Sequence, residues 1–441
     1  MLEIGYQRFC ETGADDSALV QFQKEEQEWL LSYTKYRWLM EVAGTEQWDQ
    51  WPEEYNTAEK AEMWIAQQSE AEDRMRFYAW VQWHAFMQWR ELSQYAEGKD
   101  VKLMGDIPIG VSYFSADVFF EPQWFDLTLS GGSPPEEFFK DDEFARQWGQ
   151  NWGVPVYDWK KLEADNFTWW RRRIKKLTDV FHIFRIDHVL GFYRIYSFPW
   201  RPQRNEEFLN LSEEEAKLLT GGPLPKFHPH DDDTKAHKKM NLEAGDRYLK
   251  IVLEAAGDSE VVGEDLGCVP DYVRPHLAEL GIAGFKICHW EFQKNGEVVQ
   301  GEDYPECAFT TFATHDHESV PALWNGLVEM LWGLEHEAAM EGLTALSDFA
   351  GLPKVKDGHG YAPYDSEIKW ALFEGLLNSR ANYAAVMITD LIDSPKRINI
   401  PGTVGGENWR YRLPWQLNAM PEAVANESQR MSELIRVANR A

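Results

Sequence analysis

The chain has 441 residues, with 44 Lys and Arg against 73 Asp and Glu for a formal net charge of −29, and it is 44% hydrophobic and 27% charged. That composition excludes disorder over most of the length. So acidic a surface also excludes nucleic acid as a partner, because phosphate binding needs clustered Lys and Arg.

No run reaches the roughly 18 apolar residues of a membrane helix, and the opening MLEIGYQRFC has neither the basic nor the apolar region of a signal peptide. The expectation is a cytoplasmic protein with no membrane partner. Cys10, Cys268, Cys288 and Cys307 are too sparse for a disulfide framework and are expected as reduced thiols.

Residues 1–98 read as a helical subdomain. From Phe77 to Tyr95, Trp80, Trp83, Met87 and Arg90 recur at three- and four-residue steps, and the stretch from Phe22 to Val42 behaves likewise until Pro52 interrupts. Eight of the 21 tryptophans fall here, and their helical spacing makes them packing residues first. Residues 99–441 change texture. Apolar runs at 101–111, 180–192, 259–267, 281–290, 307–317 and 383–392 read as buried strands, with amphipathic stretches at 270–280 and 366–380 between some of them. Alternating strands and helices imply right-handed crossovers and a parallel sheet, either doubly wound or closed as a barrel.

No phosphate-binding glycine motif opens a helix, and acids and histidines collect at the ends of separate strands, which favours a TIM (β/α)8-type barrel. Six strands are counted where such a barrel has eight. The polar stretch 201–245, with HPHDDD at 228–233, reads as an inserted loop region rather than a metal site.

Three strand ends carry the chemistry. In FRIDH, Arg185 and Asp187 share a face because side chains repeat every two residues, and the Arg favours the ionised acid; taken alone the pair reads equally as structural. In VVGEDLG, Glu264 ends a strand, and Asp265 reads as a cap or brace. In ATHDH, Asp316 sits between His315 and His317. Three acids on three strand ends suit retaining glycosidic chemistry. One carboxylate is then the nucleophile and a second carboxyl, about 5–5.5 Å away, the acid and then base. Asp187 is the expected nucleophile, Glu264 the acid/base and Asp316 the group that holds sugar hydroxyls.

The motifs GDIPIGVSYFSADVF (105–119), GQNWGVPVYDW (149–159), FRIDHVLGFYRI (184–195), VVGEDLGCVPDYVRPHLAELGIAGFKI (261–287), ATHDH (313–317) and INIPGTVGGENWRYR (398–412) resemble, in order, those of the 4-alpha-glucanotransferases, or amylomaltases, of glycoside hydrolase family 77. The resemblance implies transfer of alpha-1,4-glucan segments to glucose or maltooligosaccharide acceptors by a retaining double displacement. It implies the same three roles for Asp187, Glu264 and Asp316, and donor-sugar contacts from Arg185 and His315. It further implies a mobile acceptor loop carrying Gln150, Asn151 and Trp152, with Phe138 or Phe139 before it, and a mouth lined by Asn408 and Trp409. Asp117 reads equally as a ligand or a turn brace, and Phe114 stands where many relatives carry an acid. Nothing in residues 1–98 supplies the family's first two barrel strands, so a separately encoded N-terminal barrel portion is an expected partner alongside alpha-1,4-glucans. The chemistry calls for no metal and no other cofactor. Alternatives are an alpha-glucan hydrolase, a truncated or split enzyme without activity of its own, and a metal-dependent hydrolase built on His315 and His317 with His182, His188 or His289.

Overall fold

A 27-residue helix, Ala71–Glu97, anchors the N-terminal helices Leu2–Glu11, Ser17–Glu25, Gln27–Ala43 and Ala58–Ile65. The structure, a computed structural model, describes residues 1–13, 15–136, 142–353, 355, 360–401, 403 and 405–440. Local chemistry sets the helix ends. Gly44, at φ 70°, closes Gln27–Ala43 in the left-handed region that a side chain resists, and the Thr57 side chain accepts the Lys60 N–H to open Ala58–Ile65. Two aromatic cores result: one joins Tyr6, Phe22, Phe77 and Trp80, the other Tyr36, Trp38, Trp51 and Phe119.

The chain divides into two compact units, Met1–Val261 with Gly267–Val273, and Val262–Leu266 with Arg274–Ala441. In the first, β1 (Met104–Pro108) pairs in parallel with a later strand, β4. Between them come β2 (Phe125–Ser133) and β3 (Gln150–Tyr157), and after β4 (Ile183–Asp187) come β5 (Ile195–Phe198) and β6 (Lys226–His228). The strands β3-β2-β5-β6 form a separate antiparallel sheet that the sequence reading did not anticipate. The helices Thr168–Thr178 and Lys235–Ala256 pack on each other; at Gly245 a Cβ would lie 2.2 Å from Tyr193 Cδ1, so only glycine lets that ring seat. The stretch expected as an inserted loop is helical over Asn205–Phe208 and Glu213–Thr220, and again from Lys235.

The parallel sheet continues into β7 (Glu260–Gly263), whose Glu260 N–H donates to His182 O at 2.9 Å. In the second unit the end of β7 pairs with β8 (Ala283–Ile287), β8 with β9 (Ala308–Thr311) and β9 with β10 (Tyr383–Ala385), all in parallel. The order is therefore β1-β4-β7-β8-β9-β10. All six predicted strands form, each shorter than its apolar run, and among the described residues the parallel sheet has six strands. Helices Val320–Met330, His336–Phe349 and Ser366–Leu377 bury a core of Phe312, Trp324, Leu343, Leu346, Leu372 and Phe373. Among the described residues no helix is long and apolar enough to cross a membrane. Cys10, Cys268, Cys288 and Cys307 are free thiols.

Candidate active site

In the first unit, register places Asp106 of β1 beside Arg185 of β4. Two-residue alternation then puts Asp187 on the face of Arg185. The buried guanidinium donates from Nη1 to Asp106 Oδ2 at 2.6 Å and meets Asp187 Oδ1 from Nη2 at 2.8 Å. The Asp187 side chain keeps 39% exposure at the strand end, open to a solute. His188 turns the chain in the left-handed region at φ 49°. Burial pushes its imidazole down to about 4, so it adds no positive charge beside Asp187 near neutral pH.

Trp152 lies edge-on to His188, ring centroids 4.9 Å apart, and donates its indole N–H to Gln150 Oε1 at 3.1 Å. Gln150, Asn151 and Trp152 thus belong to strand β3, where the resemblance implied a loop. The reason is backbone pairing: Gly132 and Ser133 of β2 stand opposite Asn151 and Gln150. The Asn151 amide is engaged within the fold, accepting from Ser130 Oγ at 2.6 Å and donating to Trp200 O and Asn205 Oδ1, both at 3.1 Å. Asp117 accepts the Trp169 indole N–H at 3.1 Å, which is the geometry of a brace. Phe138 and Phe139 lie outside the described residues.

In the second unit, Glu264 follows β7 directly. It is 9% exposed, and its Oε1 accepts the Leu266 N–H at 3.1 Å. Asp265 is 1% exposed; its Oδ1 accepts the Phe285 N–H of β8 at 2.5 Å and its Oδ2 the Arg274 Nε–H at 2.9 Å. A Cβ at Gly284 would come within 3.0 Å of both carboxylate oxygens, so the glycine makes room for this brace. Beyond β9, Asp316 Oδ1 accepts from Asn399 Nδ2 at 2.6 Å, and its backbone carbonyl accepts from Arg397. His315 Nε2 lies 3.3 Å from Asp316 Oδ2, and the His315 ring packs 4.9 Å from that of Trp409. Trp409 is 64% exposed. Asn408 instead folds its own loop, accepting from Ile400 N at 3.0 Å and donating to Thr403 Oγ1 at 2.8 Å.

Asp106, Arg397 and Asn399 are the residues that sequence reasoning passed over. Asp106 and Asn399 lie inside quoted motifs, but their partners are 79 and 83 residues away. The metal reading gains nothing here. His317 Nδ1 pairs with Thr314 Oγ1 at 2.9 Å, while His315 turns to Asp316 and Trp409. Among the described residues no group of three or more His, Cys, Asp and Glu is placed to hold a metal. Each unit offers acids beyond the carboxyl ends of parallel strands: in the first, Asp187, accessible and ion-paired; in the second, Glu264, buried directly after its strand, and Asp316, held by an amide.

The family model described as 4-alpha-glucanotransferase, glycoside hydrolase family 77, matches residues 1–418. The 4-alpha-glucanotransferase of Chlamydia caviae is 28% identical over 414 residues, covering 92% of this chain and 69% of the relative. The chloroplastic/amyloplastic 4-alpha-glucanotransferase of Solanum tuberosum is 28% identical over 397 residues, covering 88% and 58%. Among solved structures, the amylomaltase of Streptococcus agalactiae in complex with acarbose superposes with a TM-score of 0.75 at 22% identity, over 99% of this chain and 77% of that one. For the amylomaltase of Corynebacterium glutamicum the TM-score is 0.71 at 20% identity, over 95% and 56%. These two likenesses establish the fold, with its parallel β/α architecture.

Proposed function

Because the chain belongs to the 4-alpha-glucanotransferase family, glycoside hydrolase family 77, we propose that it transfers alpha-1,4-glucan segments between maltooligosaccharides by a retaining double displacement. In the first step an Asp187 oxygen attacks C1 of the donor sugar while Glu264 gives its proton to the departing glycosidic oxygen. A glycosyl ester on Asp187 results, and the shortened glucan leaves with its new hydroxyl. In the second step Glu264 takes the proton of the acceptor 4-hydroxyl, whose oxygen attacks C1 and frees Asp187. Two inversions give net retention. Asp316 and Arg185 hold sugar hydroxyls and the charge that builds at the ring, and His315 and Trp152 are proposed sugar contacts beside them. The proposed setting is the cytoplasm.

The observation that carries this reading is Arg185. An attacking carboxylate must be ionised, and a buried guanidinium 2.8 Å away supplies the opposite charge while leaving Asp187 accessible. Glu264, the proposed acid and base, is buried directly after β7.

Incubation with maltotriose tests the reaction type. Glucose together with maltotetraose and longer oligomers is the expected result; glucose and maltose without elongation would make the chain a hydrolase. Asp187→Asn should abolish elongation, with a loss on the order of a thousandfold or more. Activity retained in that variant would remove Asp187 from the role.

A further inference from the structure

Lys369 sits on the helix Ser366–Leu377 beside Ile368, Leu372, Phe373 and Leu376, all buried, and is itself 2% exposed. A charge taken out of water is costly, and an apolar side chain of similar volume is often at least as stable in such a place. Packing of the helix therefore does not account for the ammonium, and its contacts do. It donates to Leu391 O at 2.7 Å and meets both Asp393 carboxylate oxygens at 3.0 Å. Those acceptors lie in the turn that ends the short helix Ile388–Leu391 beyond β10. Asp393 stands there in the left-handed region at φ 54°, a conformation that a residue with a Cβ keeps where its surroundings impose it.

The chain on either side of that turn is bonded to the loop that carries Asp316. Asp390 Oδ1 accepts the Val320 N–H at 2.8 Å, and Ser394 O accepts from Ser319 Oγ at 2.7 Å. Asp390 and Ser319 are both fully buried. Farther along, the Asn399 N–H donates to His315 O at 3.1 Å, and the side chains of Arg397 and Asn399 hold Asp316 at its carbonyl and its carboxylate. Residues 390–399 are thus tied to 315–320 at both ends, with Lys369 fixing the turn where they begin. Every group named here belongs to the second unit.

We propose that Lys369 is a positioning residue for glucan transfer: it fixes 391–393, and through Ser394, Arg397 and Asn399 this sets where the Asp316 carboxylate stands. Resting on the role given to Asp316 above, the arrangement acts on the transition state. Charge builds at the sugar ring only as the glycosidic bond breaks, so a displaced Asp316 lowers kcat rather than raising KM.

Lys369→Met keeps the length of the side chain and removes the donor, leaving the half-exposed Asp393 to water. In the folded full chain, kcat for maltotriose should fall about 10- to 100-fold, with KM within about twofold of wild type. The Ser394 and Asn399 amides, bonded to Thr389 O at 2.8 Å and His315 O at 3.1 Å, should exchange with deuterium about tenfold faster, while those of β8 and β9 keep their rates. Asp393→Gly suits the positive φ and removes the carboxylate; it should move kcat and the same amides in the same direction, and the same criteria apply to it where Lys369→Met does not fold. A kcat within about twofold of wild type, a loss carried by KM alone, or faster exchange spread equally over β8 and β9 overturns the proposal. Failure of the catalytic reading shows separately, as wild-type protein inert toward maltotriose; Ser394 and Asn399 amides that keep their rates in both variants overturn the placement by Lys369 whatever the activity.

Discussion

Replacing Asp265 separates the brace from the acid it follows. In Asp265→Ala the buried Phe285 N–H loses the carboxylate it meets at 2.5 Å, which costs about 1–3 kcal/mol. Arg274 is 43% exposed, so water replaces most of what it loses, and that part adds no more than about 1 kcal/mol. Against these stands relief: burial pushes the Asp265 carboxyl above its ordinary value, so the native state holds that charge at a penalty. The net expectation is a loss of about 2 kcal/mol, or about a 1 M fall in urea midpoint for a slope near 2 kcal/mol/M. Asp265→Asn keeps an oxygen for Phe285 and should lose less than about 1 kcal/mol. Urea titration by far-ultraviolet circular dichroism reads both. An Ala variant within about 0.5 kcal/mol of wild type, or an Asn variant as damaged as Ala, would refute the view that the Phe285 N–H governs this site.

Three further outcomes are expected. Asn399→Ala removes the 2.6 Å bond to Asp316 and should lower kcat/KM for maltotriose about 10- to 100-fold, with little change in melting; unaltered kinetics would leave Asn399 without a positioning role. Arg185→Gln leaves Asp106 and Asp187 without their shared cation, and the same assay should show a loss of at least about 10-fold, partly restored by Arg185→Lys; activity within twofold of wild type would count against the ion pair. Burial pushes Asp390 from the ordinary 3.8 up to about 6, although it accepts the Val320 N–H at 2.8 Å. A raised acid binds its proton more tightly in the native state, so its stabilising contribution is whole at low pH and lost as pH rises through about 6. Relative to Asp390→Asn, wild-type protein should therefore lose urea resistance between about pH 4 and pH 6, and a constant difference across that window would contradict the assignment.

The parallel strands were legible because each lies in a short, largely apolar run, buried on both faces in β9 and in 184–186, where Phe184, Arg185 and Ile186 are all buried, although β1 alternates exposed and buried residues. Arg185 and Asp187 were legible for a simpler reason, since two-residue spacing on a strand is a geometric statement. The antiparallel sheet was not legible. Its strand FDLTLSGGS ends like a turn, yet Gly132 is paired inside the sheet, where a Cβ would fall 1.9 Å from Gln150 O. Glycine there marks close backbone approach, which the sequence writes in the same letter as a loop. Asn151 and Asn408 looked like sugar contacts because they sit in family motifs, but their amides bond to protein groups. Asn399 escaped for the converse reason: nothing local distinguishes an amide that reaches Asp316 from one that faces water.

The two carboxylates on Arg185 bear on the proposed cycle as a whole. With Asp106 and Asp187 both ionised, the three groups sum to one negative charge. Once Asp187 becomes an ester the sum is zero, and Asp106 still holds the guanidinium at 2.6 Å. The cation is never left alone at the moment its catalytic partner is neutralised, so it has no electrostatic reason to swing away or to draw in water. A covalent intermediate that must outlast the exchange of one sugar for another benefits from surroundings that do not rearrange when its charge disappears.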